Sequence, residues 1–337
     1  MVSVSIIMPT YNRAAFLPEA FAAIKRQTFR DWELIVVDDG SVDDTKKLFD
    51  DCFGSAESRA TYVYQDNAGA YAARKLGLLN ANGRFVAFYD SDDIWFEDYL
   101  NNCIEVLRGY PGVDWVSVRG CHVSGESPID DLRSREMSAV PESVLALESS
   151  WNDDLQIFTD TAFVEQLLLT AHSFGLPLSV IRRSVFDRVE LRADLRNGED
   201  RMFLIRAIKS GVRVAQLHRL QYVFRKHRGN SSSASLSMAS AARAKVYESL
   251  VRGYLDLKQE VRFSDRELKA LHQRVAHDLF WSVGYNIHWM SGDEQGAFSA
   301  FAKALRLTPM NTSMQKTRVS CWFKSAVRKM RRPWAVK

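Results

Sequence analysis

Apolar positions along the first ninety residues follow two periods in turn. Residues 2–8 are a β-branched apolar run ending at Pro9, the pattern of a buried strand. Over residues 14–28 the spacing becomes helical, with Phe16, Ala20 and Ile24 in one row and Leu17 and Phe21 in the next. Residues 32–37 (WELIVV) are a second strand, stopped by Asp38-Asp39-Gly40-Ser41. Asp43 and Asp44 then precede a helical segment over 45–53, and acidic residues suit a helix N-terminus. Residues 61–64 read as a third strand, 71–80 as a helix and 84–89 (RFVAFY) as a fourth strand. Strands alternating with helices predict a parallel sheet wound by right-handed crossovers, whose ligands bind beyond the carboxyl ends of the strands. The polar clusters Thr10-Tyr11-Asn12, Asp38-Asp39 and Asp90-Ser91-Asp92-Asp93 fall at those ends.

Between 120 and 160 the pattern weakens, and residues 124–131 and 151–154 read as loop. Residues 177–189 and 202–208 read as strand and helix fragments around Asn197-Gly198-Glu199-Asp200. Residues 211–224 alternate and read as strands, and a Ser-rich stretch over 229–240 punctuates the chain. From 241 onward the spacing is helical. The expected division is a catalytic domain over 1–235 and a helical region over 236–337.

Charge sharpens this division. The 337 residues carry 45 Lys and Arg against 41 Asp and Glu, a net charge of +4. Residues 1–235 hold 27 basic and 33 acidic residues, whereas 236–337 hold 18 and 8. The last acidic residue is Glu294, so the excess positive charge lies at the end of the chain. That distribution argues against a nucleic-acid binder, which spreads basic charge over its binding face. Cys52, Cys103, Cys121 and Cys321 are widely spaced with no CxxC pair, so free thiols in a reducing compartment are expected. No secretory signal or transmembrane span is expected either, and the expected location is cytoplasmic.

Asp90-Ser91-Asp92-Asp93 is the centre of the candidate chemistry. Carboxylates at i and i+2, just past a buried strand, can converge on one hard cation such as Mg²⁺ or Mn²⁺. The same residues can form an acidic turn that caps the next helix. Asp38-Asp39 ends a neighbouring strand, and negative charge gathered at one sheet edge is costly without a cation, which favours the metal site.

Three segments, VSIIMPTYNR, QTFRDWELIVVDDGSVDDT and QDNAGAYAARKLGLLNANGRFVAFYDSDDIW, resemble glycosyltransferase family 2 in order and spacing, over roughly residues 2–230. The resemblance implies a GT-A fold: an α/β, Rossmann-like mixed sheet flanked by helices, followed here by a C-terminal helical region. It implies inverting transfer of one sugar from a nucleotide-diphosphate donor, with UDP-sugars favoured and guanine or thymine nucleotides open. Pro9, Thr10, Tyr11 and Asn12 would line the nucleotide pocket, with Asn67 and Ser91 beside it. Asp39 would hold the base, Asp90 the ribose, and Asp92 the metal that bridges the diphosphate. Asn197-Gly198-Glu199-Asp200 resembles the family's ED motif, which makes Asp200 the base and Glu199 a neighbour that positions the acceptor. FRKHRGNSS, from Phe224, resembles a loop that closes over the donor, with His227 a further metal ligand and Arg225 facing phosphates. Arg74 would reach the diphosphate, although Lys75 stands where the family more often has Asn. Trp95 has two readings, a sugar platform or core. The acceptor would be a hydroxyl of a glycan or lipid-linked glycan in cell-surface polysaccharide, lipopolysaccharide or glycoconjugate synthesis.

The absences are consistent with this reading. There is no P-loop and no GxGxxG fingerprint, and the QxxRW of processive synthases is missing. A sugar nucleotidyltransferase would carry a Gly-rich basic loop after the first strand, which PTYNRAAF lacks. A non-catalytic nucleotide-sugar scaffold would not need the Asp90, Asp92 and Asp200 set. In the C-terminal region, Trp281, Gly292, Ala297, Phe301, Ala304 and Pro309 resemble one tetratricopeptide-type hairpin. Val319, Trp322, Phe323, Ala326, Val327 and Met330 then form an apolar stripe among Lys324, Arg328, Lys329, Arg331 and Arg332. Such a helix either lies on an anionic membrane through residues 315–337 or docks on the catalytic domain with a solvated basic face.

Overall fold

The computed structural model describes residues 2–54, 58–124, 132–192, 199–227 and 240–331. It divides into two compact units: one made almost entirely of residues up to Arg228, and one dominated by Gly229–Lys337. The expected boundary near 235 falls on residues 228–239, outside the described residues, as do residues 125–131, Asn197, Gly198 and the final six residues.

The first unit is built on ten strands: β1 (Val4–Thr10), β2 (Trp32–Asp38), β3 (Ala60–Tyr64), β4 (Phe85–Phe88), β5 (Ile94–Trp95), β6 (Trp115–Ser124), β7 (Ser149–Asn152), β8 (Leu155–Phe158), β9 (Ser179–Arg182) and β10 (Val214–Lys226). They form one sheet in the order β3-β2-β1-β4-β9-β6-β10-β8-β7, with β5 added on β10. The half holding β1 to β4 is parallel, while β9 runs antiparallel between β4 and β6. Its helices are α1 (Leu17–Arg26), α2 (Thr45–Phe53), α3 (Ala70–Leu79), α4 (Tyr99–Gly109), the short α5 (Glu142–Leu145), α6 (Phe163–Thr170), α7 (Ser184–Arg188) and α8 (Glu199–Lys209). This is the mixed sheet flanked by helices that the sequence resemblance implies.

The alternation of the central strands puts a core on each face. Val4, Ile6 and Met8 share one core with Phe21 and Ile24 of α1, Phe49 of α2 and Leu100 of α4. Ile7 points the other way, into the core that holds Tyr71 and Ala73 of α3 and Phe203 and Leu204 of α8. β1 is buried along its whole length, so its register is strongly specified, and it pairs Thr10 with Asp38 and Ile7 with Phe88. The Asp39 N–H continues the ladder to Thr10 O at 2.9 Å, and Tyr89 N–H does the same to Ile7 O at 2.9 Å. The three polar clusters therefore leave the sheet side by side.

Two expectations need correction. Residues 151–154 are not simply loop: β7 and β8 form a hairpin closed by Asp153 in the left-handed region at φ 52°. β7 reads SSWN because it is the outermost strand and three of its four residues are exposed, so no apolar alternation marks it. The alternating stretch over 211–224 is one strand of 13 residues, β10, rather than several.

The second unit contains α9 (Ser240–Glu260), α10 (Asp265–His277), a π-helical continuation over Asp278–Trp289, α11 (Glu294–Leu307) and α12 (Thr312–Arg331). Ser264 and Glu267 form a reciprocal capping box that starts α10. The wider π turn accommodates the bulky FWSVGYNIHW segment, and Phe280 stacks on Phe301 at 4.3 Å between centroids. Ala297, Phe301 and Ala304 are buried in the same core as Met314 and Cys321 of α12. The Ser325 hydroxyl donates to Glu294 at 2.5 Å, and the Arg328 guanidinium lies over Trp289 at 5.3 Å. Thus α12 packs on its own unit through Met314, Cys321 and Ser325. Val319, Trp322 and Phe323 remain 60–64% exposed. Among the described residues no helix is long and apolar enough to cross a membrane.

Gly77 of α3 marks how closely helix and sheet approach. A Cβ there would lie 2.3 Å from Ile7 Cγ2 and 3.2 Å from Val37 Cγ2. We expect Gly77→Ala to destabilise the first unit by about 1–3 kcal/mol, because overpacking outweighs the roughly 1 kcal/mol helix-propensity gain. Urea denaturation followed by circular dichroism checks this, and an unchanged or raised midpoint refutes it.

Candidate active site

The loops after β1 and β2 are laced together. Asn12 adopts the left-handed region at φ 51°, where a short amide side chain is tolerated. Its N–H donates to Ser41 Oγ at 2.9 Å, and its Oδ1 accepts from Val42 N–H at 2.9 Å. Pro9 and Thr10 are buried, and the Thr10 hydroxyl has no hydrogen-bond partner, while the Tyr11 ring is 47% exposed. The Asp39 carboxylate accepts three donors: Gln65 Nε2 at 2.6 Å, Ala68 N–H at 2.8 Å and Gly69 N–H at 2.8 Å. Asn67 Nδ2 donates to the Asp39 carbonyl at 2.9 Å. A carboxylate offers about four lone-pair sites, and Asp39 spends three of them on fixing the 65–69 loop.

The Asp90–Asp93 turn gives each carboxylate a different partner. Asp90 Oδ1 pairs with Arg74 at 2.6 Å, and that guanidinium is almost wholly buried. Asp92 Oδ2 lies 2.9 Å from His227 Nε2 and 3.3 Å from Arg13 Nε. Asp93 accepts from Tyr222 Oη at 2.6 Å and from Arg225 N–H at 2.9 Å. Burial, with the Asp90 and Asp92 charges added, pushes the Asp93 carboxyl well above its usual range. Asp93 thus ties the turn to β10, whose end carries His227. Ser91 is buried in the turn.

The structure brings Asp90, Asp92, Arg74 and His227 together as the sequence suggests. Arg225 is placed differently from the expectation that it faces phosphates. Its guanidinium pairs with Glu19 of α1 at 2.7 Å and sits over the Phe16 ring, which also packs on His227 at 4.5 Å. Trp95 is core, stacked between Tyr89 and Tyr99 and 2% exposed. Sequence reasoning missed Arg13 as a partner of Asp92 and Glu19 as a partner of Arg225. Arg13 stands inside the quoted PTYNR motif, but an isolated Glu19 on a helix carries no signal.

The donor set fits a Mg²⁺- or Mn²⁺-type ion. Adjacent ligands of an octahedral ion with bonds of about 2.1 Å stand about 3 Å apart. Asp92 Oδ2 and His227 Nε2 stand 2.9 Å apart. Among the described residues no group of three or more His, Cys, Asp and Glu side chains is arranged to hold a metal ion by itself.

Glu199 and Asp200 open α8. Asp200 Oδ2 accepts from Leu176 N–H at 3.2 Å. Burial pushes its carboxyl up to about 6, against the opposing pull of that N–H and of Arg201. Burial likewise pushes Glu199 up to about 7, partly offset by its own N–H and by Arg74. The Arg74 guanidinium therefore acts electrostatically on Glu199 while it pairs with Asp90.

Comparison with known proteins agrees with this geometry. The model of glycosyl transferase family 2 matches residues 5–187. An Escherichia coli protein named UDP-Glc:α-D-GlcNAc-diphosphoundecaprenol β-1,3-glucosyltransferase WfgD is 40% identical over 106 residues, 31% of this chain and 40% of its own. The structure of Staphylococcus aureus TarS 1–349 in complex with UDP-GlcNAc superposes with TM-score 0.66 at 19% identity, covering 90% of this chain and 81% of that one. The mannosyltransferase PcManGT of Pyrobaculum calidifontis, in complex with GDP-Man and Mn²⁺, gives TM-score 0.56 at 18% identity over 100% of this chain and 88% of its own. Matches to glycosyltransferases of Rickettsia species and Streptococcus pneumoniae span only 14–16% of those proteins' length. With the family model covering more than half of its length, the chain belongs to glycosyltransferase family 2.

Proposed function

We propose that this chain transfers one sugar, with inversion, from a nucleotide-diphosphate donor to a hydroxyl of a glycan or lipid-linked acceptor in polysaccharide synthesis. The observation that carries the reading is the meeting of Asp92 and His227, 135 positions apart in the sequence, next to Asp90 and Arg74. A uracil nucleotide is favoured, since the relatives that combine a named donor with this fold or sequence include UDP-Glc and UDP-GlcNAc users or binders.

The exposed Tyr11 ring offers a face to a base, and the remaining acceptor site of Asp39 takes a base N–H. Asp90 takes ribose hydroxyls, and Arg74 is within reach of diphosphate oxygens through the same guanidinium. Asp92 and His227 would hold Mg²⁺ or Mn²⁺, which supplies a Lewis acid for charge developing on the departing diphosphate. Asp200 takes the proton of the attacking acceptor hydroxyl. A base must be deprotonated yet proton-hungry, and a carboxyl raised to about 6 meets both needs near neutral pH better than an ordinary Asp. Glu199 stands beside it to orient the acceptor.

Peripheral attachment to an anionic membrane belongs to the same reading. The exposed Val319, Trp322 and Phe323 face is flanked by exposed Lys316, Arg318 and Lys324, and no acidic residue follows Glu294. An apolar strip set among basic side chains complements anionic headgroups over acyl chains, with about 1 kcal/mol per basic residue near the surface.

Three outcomes follow from this reading. Asp92→Ala loses transfer by at least about a hundredfold while UDP affinity in EDTA is kept, and full Mn²⁺-stimulated activity removes Asp92 from the metal site. For Asp200→Asn we expect loss of transfer together with higher stability. Burial pushes the Asp200 carboxyl up to about 6 from the ordinary Asp value, so ionising it opposes folding as pH rises through that interval. The gain is about 1–3 kcal/mol at pH 7.5 and fades as pH falls toward 4. The wild-type kcat/KM should fall below pH about 6, and retained transfer in the Asn variant excludes Asp200 as base. Finally, phosphatidylglycerol vesicles should float the wild type but not the Trp322→Ala/Phe323→Ala double variant, and equal flotation of both rejects the membrane face.

A further inference from the structure

A second cationic and aromatic cluster lies apart from the donor site, on the face of the sheet that α8 covers. Trp115 of β6 packs on Phe203 of α8, with ring centroids 5.7 Å apart, and Ser117 donates to Phe174 O at 3.2 Å. By the two-residue period of the strand, Arg119 projects from that same face. β10 is irregular opposite it: Gln216 pairs with Ser117, but Leu220 pairs with Arg119, so the intervening β10 residues bulge. Bulges of this kind re-aim side chains beside functional sites. Here the bulge places His218 Nδ1 3.1 Å from Arg119 Nη1.

The hydrogen-bond roles are settled by chemistry. Arginine only donates, so His218 Nδ1 accepts, and its Nε2–H donates to Gln156 Oε1 at 3.0 Å. His218 is thereby held neutral. The other acceptor for Arg119 is the backbone carbonyl of Ser138, whose own buried hydroxyl has no hydrogen-bond partner. Both acceptors of this half-buried guanidinium are neutral, and no carboxylate pairs with Arg119 among the described residues. The nearby Asp154 carboxylate is engaged by Arg219. Neither acceptor neutralises the Arg119 charge, which can therefore pair with an anionic ligand.

The cluster adjoins the base through one short loop. Phe174 O receives Ser117, and two residues later Leu176 N–H binds Asp200. His172, in the same loop, packs edge-on against Phe174 at 4.9 Å, and its carbonyl accepts from Arg201 Nε at 3.4 Å. At the mouth, Trp151 stacks on His218 at 5.0 Å and is 53% exposed. We infer that Arg119, set by His218 and flanked by Trp151, receives a phosphate group of the acceptor while the acceptor hydroxyl is presented to Asp200. Arginine's planar fork matches phosphate oxygens in pairs, and the Trp151 face suits the ring or chain attached to that phosphate. The inference rests on the glycosyl-transfer reading and adds the class of acceptor: a phosphate-bearing one.

The test uses the full-length protein with UDP and Mg²⁺ occupying the donor site, titrated calorimetrically with phenyl phosphate, benzoate and phenol. Phenyl phosphate should bind saturably to the wild type and benzoate and phenol should not. Arg119→Gln should weaken phenyl phosphate at least about tenfold, the range for a charge-assisted pair, with UDP affinity unchanged. Arg119→Lys, which keeps the charge, should retain part of the binding. The inference is overturned if the wild type does not bind phenyl phosphate, if benzoate binds equally well, or if Arg119→Gln binds like the wild type. It is also overturned if Arg119→Gln loses UDP as well, since the residue is then structural. Failure of the wild type to bind UDP would instead sink the glycosyl-transfer reading, so the two failures are told apart.

Discussion

The first unit depends on how five carboxylates can share one sheet edge. Asp38 and Asp39 at the end of β2 and Asp90, Asp92 and Asp93 after β4 emerge on either side of β1, and like charges so gathered repel strongly where water is excluded. Each is answered locally and differently. Asp38 accepts from Ser41 N–H and the Tyr62 hydroxyl, Asp39 takes three donors of one loop, Asp90 has Arg74, and Asp92 has Arg13 and His227. Asp93, also buried, is left with Tyr222 and a backbone N–H. The loops that shape the donor site are therefore held in place by the same hydrogen bonds that make the charge tolerable. Removing any one carboxylate changes the charge balance of the whole edge.

Much of this was legible in the sequence because the parallel half of the sheet is local. Each strand, helix and polar cluster of residues 2–93 is a contiguous run, and β1, buried along its length, leaves no freedom of register. The meeting of Asp92 and His227 was legible only through resemblance, since nothing in the local pattern brings His227 to Asp92 across 135 positions. The outer half was harder to read. β7 is an exposed edge strand without alternation, and the bulge in β10 has no composition signature. Arg119 was invisible because a lone arginine in a strand gains meaning only when its neighbours prove to be neutral. Where Arg225 was expected to face phosphates, an unremarked Glu19 on α1 competes for it, a tertiary pairing that no spacing rule reveals.

The helical unit shows how one stripe on a helix can mislead about which face is buried. Of the apolar row of α12 that stands out in the sequence, Val319, Trp322 and Phe323 point outward. The face that packs is made of small or modest side chains, Met314, Cys321 and Ser325, finished by a hydrogen bond to Glu294. Small residues allow close approach, so a weakly hydrophobic face wins the contact and the bulky one is left facing solvent.

β10 carries groups of both proposed subsites on one continuous element. His218 lies in its bulge, and Tyr222, Arg225 and His227 lie at or just past its far end, nine residues on. At about 3.3 Å per residue the strand reaches roughly 30 Å, less whatever the bulge takes up. It is thus a shared beam: the residues proposed for the two substrates sit on one continuous backbone. Whatever coupling this beam transmits must be equal in both directions by thermodynamic linkage.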